Sequence, residues 1–293
     1  MTTGDVEASG RHVDIGDTRL YIVERGDGYP LLLFHGGPGV DHHSFGDYLD
    51  ALADGYRLIL VDQRSNGRSD RAPEETWTLQ RMAADLGSLR RTLGLEEYAV
   101  LGHSYGAFVV LQHAVDSPGD AAQTVVSSGI PSARCLEQIG QNLAAFEPVG
   151  LREQVTRSWE RERHVQTQED VAGLLHDQMP FQFADPHDPR IEDYERRTAG
   201  AIYSTDVLRR FASEEYGGIE VEDRLGDVTQ PVLILAGRHD RTCSVEASEA
   251  IAEGVPQAEL TVFESSGHMT FVEENDAYIR IVRDFLRRHA GSR

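Results

Sequence analysis

The sequence predicts an α/β protein: a doubly wound, mostly parallel sheet with a helical cap inserted late in the chain. Three observations carry that expectation. Short continuous apolar runs bounded by turns recur along the chain, as strands buried on both faces require. Amphipathic helical patterns alternate with them, the rhythm of a parallel sheet with crossover helices. Between Gly129 and Pro231, however, lie about a hundred residues where a crossover needs only roughly 10–12. That stretch is helical in pattern and strongly charged, at 152–163 and again at 191–197, so it reads as an insertion into the sheet domain.

The elements follow in chain order. Residues 19–23 (RLYIV) come after a Gly16-Asp17 turn and read as half of a hairpin. Residues 31–34 (LLLF) and 58–61 (LILV) are buried strands. Leu79, Met82, Leu86, Leu89 and Leu93 step by three and four along a helix, with Thr78 as its N-cap and Gly94 as its stop. Further strands fall at 98–101, 124–126, 232–235 and 260–263, with a helix at 107–115. Tyr278, Ile281, Val282, Phe285 and Leu286 mark a last helix, and Arg287 and Arg288 suit its negative end. The expected division is a core of residues 1–130 and 226–293 and a cap of residues 131–225.

Composition narrows the function. With 293 residues, 40% of them hydrophobic and 26% charged, the chain can bury a full core without disulfides or structural metals. All 28 basic residues are arginine, which excludes Schiff-base, PLP and P-loop chemistry, since each needs a lysine. A net charge of −21 repels phosphate backbones and anionic lipid, so neither nucleic acid nor a membrane is an expected partner. A small molecule or short peptide is. Cys135 and Cys243 make no disulfide framework. Met1 to Gly16 has no apolar run and no stretch has the length of a membrane span, so a cytoplasmic location is expected.

The chemistry-bearing residues stand at strand ends. Gly102-His103-Ser104-Tyr105-Gly106 follows a buried strand and precedes a helix, where a nucleophile elbow belongs. A serine hydroxyl needs a base, itself oriented by an acid. Asp240 and His268 each lie just past a later strand and supply them in the order serine, acid, histidine. His239 and His289 are less well placed. His35-Gly36-Gly37-Pro38-Gly39 follows another strand, and its glycines let the main chain approach a substrate. The expected oxyanion donors are the N–H groups of Gly37 and Tyr105, with Gly36 beside the substrate. No cofactor and no metal are expected: His42-His43, and His187 near Asp185 and Asp188, lack HExxH or paired-cysteine spacing.

HGGPG at 35–39, DQRSNGRS at 62–69 and GHSYG at 102–106 resemble the α/β-hydrolase group that contains the proline iminopeptidases and the related archaeal tricorn-interacting aminopeptidase. The resemblance implies Ser104 as nucleophile, His268 as general base and Asp240 as its orienting acid. It implies a serine hydrolase, an aminopeptidase of proline iminopeptidase type. The alternative within hydrolases is a carboxylesterase or lactonase, and a lyase or ligand receptor on the same fold is a remote third.

Substrate choice is expected to lie in the cap. An aminopeptidase must hold an ammonium group, and the archaeal relative has a glutamate directly after its triad aspartate; Arg241 stands there in this chain. Cap acids Glu192, Glu195, Glu214 and Glu215 are possible substitutes. Trp159 is a candidate for an apolar pocket wall, and Arg241 for a substrate carboxylate.

Overall fold

The structure is a computed structural model describing residues 10–290, apart from the side chain of Glu215. It opens with strands β1 (Arg11–Asp14), β2 (Arg19–Arg25), β3 (Tyr29–Phe34) and β4 (Tyr56–Val61). Helix α1 (Leu79–Thr92), strand β5 (Ala99–His103), helix α2 (Tyr105–Asp116) and strand β6 (Gln123–Ser127) follow. Five helices then intervene: α3 (Glu137–Ala144), α4 (Val149–Arg161), α5 (Gln168–Gln182), α6 (Arg190–Arg197) and α7 (Thr205–Ala212). The chain closes with β7 (Val232–Gly237), α8 (Val245–Gly254), β8 (Ala258–Phe263), α9 (Thr270–Glu273) and α10 (Asn275–Arg288).

The strands form one sheet in the order β1-β2-β4-β3-β5-β6-β7-β8. β1 and β2 pair antiparallel, as does β2 with β4; from β4 to β8 every pairing is parallel. Two apolar layers cover its faces. One packs α1, α2 and α8 through Leu86, Leu89, Val110 and Ile251. The other packs α10 through Tyr278, Val282 and Phe285. Burial on both faces is why β3 to β7 read as unbroken apolar runs rather than alternating ones.

Boundaries moved by one to three residues from those expected. β3 and β4 begin earlier, at Tyr29 and Tyr56, because they pair with each other there. β5 runs on to His103, where it still pairs with Ser127. Thr78 caps α1 by accepting a bond from the Arg81 N–H, and Gly94, with φ +66°, follows its end. The hairpin partner of β2 is β1.

In a parallel sheet of this kind all the strand C-termini open on one edge, where ligands bind. β3, β5, β7 and β8 thus deliver their following loops, at Gly36, Ser104, Asp240 and His268, to the same side.

Candidate active site

The turn after β5 is built around a strained serine. Ser104 has φ 55° and ψ −121°, a conformation costly for any residue with a Cβ, held between the β5 ladder and the first turn of α2. Its flanking glycines are sterically required. A Cβ on Gly102 would sit 2.1 Å from the Gly106 carbonyl oxygen, and one on Gly106 would sit 2.1 Å from the Phe34 carbonyl oxygen. Strand, turn and helix close up only because neither residue has a side chain.

Asp240 and His268 meet across the next two strand ends. His268 Nδ1 lies 2.8 Å from Asp240 Oδ2, and both side chains are buried. The other carboxylate oxygen, Oδ1, accepts from the N–H groups of Thr242 and Cys243 and from the Thr242 hydroxyl, at 2.8–2.9 Å. Burial opposes the charge on Asp240, but the neighbouring imidazole and these donors outweigh it and hold the carboxyl below its ordinary range. The Ser128 hydroxyl donates to the His268 carbonyl at 3.0 Å, tying the histidine loop to the end of β6. His103 packs its ring 4.9 Å from that of His268, and burial holds it well below the usual imidazole range, so it stays uncharged. Cys243 lies close to both Asp240 and His268, and burial pushes its thiol well up, which leaves it protonated.

The loop after β3 faces Ser104. A Cβ on Gly36 would come within 3.2 Å of the Ser104 Cβ, so this glycine permits the close approach. Gly37 has φ +106°, which also favours glycine. Asn66 Oδ1 accepts the Gly39 N–H at 2.8 Å, and Gln63 bonds the His35 carbonyl at 2.7 Å. The DQRSNGRS segment therefore braces the glycine loop, itself anchored by the fully buried Arg64 against Asp85 and Asp17. Tyr105 begins α2, so its N–H is one of the first-turn donors a helix leaves without an internal partner.

Gly36, Gly37, Ser104, Tyr105 and His268 line one cavity of about 970 Å³ roofed by α3, α4, α5 and α7. Of the cap residues expected at a substrate, Trp159 lines it, with its ring edge-on to Phe181. Arg241 is placed elsewhere: its guanidinium donates to the carbonyls of Phe181, Phe183 and Ala184 and lies over the Phe146 ring. It satisfies carbonyls at the end of α5 and is not part of the cavity wall. Glu214 pairs with Arg210 on the surface, and the side chain of Glu215 lies outside the described residues. Glu192 is exposed, whereas Glu195 lines the cavity, paired with His176 at 2.6 Å.

Sequence reasoning missed Glu162. It is buried and lines the cavity, with Oε2 accepting from the Tyr216 hydroxyl at 2.5 Å and Oε1 from Gln178 at 2.9 Å. Burial raises its pKa, and these two bonds only partly offset that. It stands between arginines in the sequence, which made it read as part of a solvated helix face.

Glu273 is another buried acid, behind the histidine loop. It accepts the Gly267 N–H at 2.7 Å and the Ala184 N–H at 2.8 Å, and burial raises its pKa to about 7. The native state therefore binds a proton more tightly than the unfolded chain between pH ~4.5 and ~7, and this group's contribution to stability falls as pH rises through that window. The melting temperature of wild type minus that of Glu273→Gln is expected to decrease from pH 5 to pH 7.5. Parallel curves contradict this.

With this geometry in view, the alpha/beta hydrolase fold family matches residues 29–275. The chain belongs to that family and is a hydrolase. It is 29% identical to a proline iminopeptidase of Heyndrickxia coagulans over 97% of this chain and 98% of that protein. The crystal structure of a Mycobacterium smegmatis proline iminopeptidase is similar with a TM-score of 0.75 at 25% identity, over 96% of this chain and 98% of that one. An alpha/beta fold family hydrolase from Bacillus anthracis str. Sterne superposes with a TM-score of 0.79 at 22% identity, covering 95% and 99%. Among the described residues no helix is long and apolar enough to cross a membrane.

Proposed function

We propose that the chain is a hydrolase of proline iminopeptidase type that cleaves amide or ester bonds of small molecules or short peptides through an acyl-enzyme on Ser104. In this reading Ser104 attacks the carbonyl and its proton passes to His268, held in orientation by Asp240. The tetrahedral oxyanion is met by the N–H groups of Gly37 and Tyr105, the latter at the positive end of α2. His268 then protonates the leaving group, and water repeats the sequence on the acyl-enzyme. No cofactor takes part. The carrying observation is that a strained serine and an aspartate-bound histidine open on one cavity. We take residues 131–225 as the cap and 1–130 with 226–293 as the core. A reducing, cytoplasmic setting belongs to the same proposal and is supported by two free cysteines.

Glu162 supports the aminopeptidase form, because a buried carboxyl on the cavity wall, bonded to neutral donors, gains from an incoming ammonium group. Glu162→Gln is expected to lower kcat/KM for prolyl and alanyl arylamides by about 10–100-fold while acting much less on neutral aryl esters. An equal loss on both substrates removes Glu162 from amine recognition. The esterase or lactonase reading is favoured instead by the largely apolar cap wall. A panel of arylamides, short aryl esters and lactones separates the two, and ester turnover without arylamide cleavage rejects the peptidase.

A further inference from the structure

We propose that the substrate carries an extended hydrophobic group that lies along a wall formed by α3, α4 and α5; this rests on the hydrolase reading and names its substrate class. The key element is α3. Ile139 and Leu143 stand four residues apart on one of its faces, yet no residue of this helix is buried. Both side chains touch the small cluster of Phe146, Val155 and Phe181 on one side and the cavity on the other, as does Trp159. Leu175 on α5 repeats the pattern against Val171, Leu174 and Leu208.

Elsewhere the protein hides its large apolar side chains: among the described residues only Val149 is exposed. The half-covered stripe of Ile139, Leu143, Trp159 and Leu175 therefore opens on the same space as Ser104 and His268. An apolar helix face left uncovered in a catalytic cavity calls for an apolar occupant. The space is large. Small-molecule sites span roughly 300–1,000 Å³, and this cavity of about 970 Å³ sits at the top of that range. An amino-acyl group the size of prolyl leaves most of it empty. The hydrophobic group extends from the acyl side or the leaving-group side of the scissile carbonyl, and the same wall chemistry serves either.

The test is kinetic, on the full chain. One arm uses p-nitrophenyl esters from acetate to decanoate, and a second uses acetate esters of alcohols from ethyl to octyl. On the arm that reaches the wall, kcat/KM is expected to rise about fourfold per methylene until the space is filled. Ile139→Gln and Leu143→Gln are expected to lower the ratio of long- to short-chain kcat/KM by about tenfold. Because α3 buries no residue these variants are expected to fold; a melting scan checks that, and Leu143→Ala gives a milder version of the same loss. A rise on the acyl arm places the wall on the acyl side, and a rise on the alcohol arm places it on the leaving-group side. Both arms flat, in an enzyme that does hydrolyse the acetate, overturns the inference. No hydrolysis of any ester or amide, with Ser104 unlabelled by a fluorophosphonate, strikes at the hydrolase reading itself, and the inference falls with it.

Discussion

Ser104→Ala is expected to lower kcat by about 10⁴–10⁶-fold. Alanine keeps the Cβ that faces Gly36 and adds nothing to the crowded turn between β5 and α2, so the loss reports the hydroxyl rather than the fold. What survives should be the rate supplied by substrate positioning and the two backbone donors alone. Steady-state kinetics on the best ester or arylamide, with fluorophosphonate labelling of wild type as the control, checks this. A variant retaining a tenth of the activity shows that the chemistry runs through another group.

Asp240→Asn is expected to cost about 10⁴-fold in kcat with little change in KM. The local bonding gives the reason. Oδ1 receives three donors, from the Thr242 N–H, the Thr242 hydroxyl and the Cys243 N–H, and only an oxygen can stand there. The amide nitrogen of asparagine is thus forced toward His268 Nδ1, 2.8 Å from the present Oδ2. Facing a donor, Nδ1 loses its charged acceptor and keeps only the Thr242 hydroxyl oxygen, 2.9 Å away, so the balance shifts toward the tautomer with the proton on the nitrogen that must take the serine proton. The imidazole stays in place but in the wrong tautomer. A loss of less than tenfold excludes His268 and Asp240 as a working pair.

The sheet was legible because burial on both faces forces continuous apolar runs, and the strand-end motifs because their glycines answer to close backbone contacts. At Gly102 and Gly106 a Cβ would meet carbonyl oxygens at 2.1 Å, a constraint local enough to leave its mark on five consecutive residues. The polar part of the cap was not legible. Glu162 sits in the charged run 157–163, whose composition is that of a solvated face. The donors that hold it, Gln178 and Tyr216, stand 16 and 54 residues further along. Arg241 hid its role for the same reason: its partners are main-chain carbonyls of residues 181, 183 and 184, which carry no side-chain signature. Where a site is made by backbone turns the sequence records it; where distant side chains assemble it, local pattern does not.

The segment 182–184, between α5 and α6, has a consequence for turnover. His268 donates its N–H to the Gln182 carbonyl at 2.7 Å, Glu273 holds the Ala184 N–H, and Arg241 grips three carbonyls beside them. A Cβ on Gly267 would sit 2.6 Å from the Gln182 oxygen, so the two strands of chain are in direct contact. This rim is riveted to the imidazole's own loop and cannot swing away without dragging the base with it. Asn142 on α3 donates to the Arg241 carbonyl at 3.0 Å, so the fastening extends to that helix as well. Strain introduced near residue 183 should therefore slow turnover through the base, even though no side chain of that segment touches the reacting atoms.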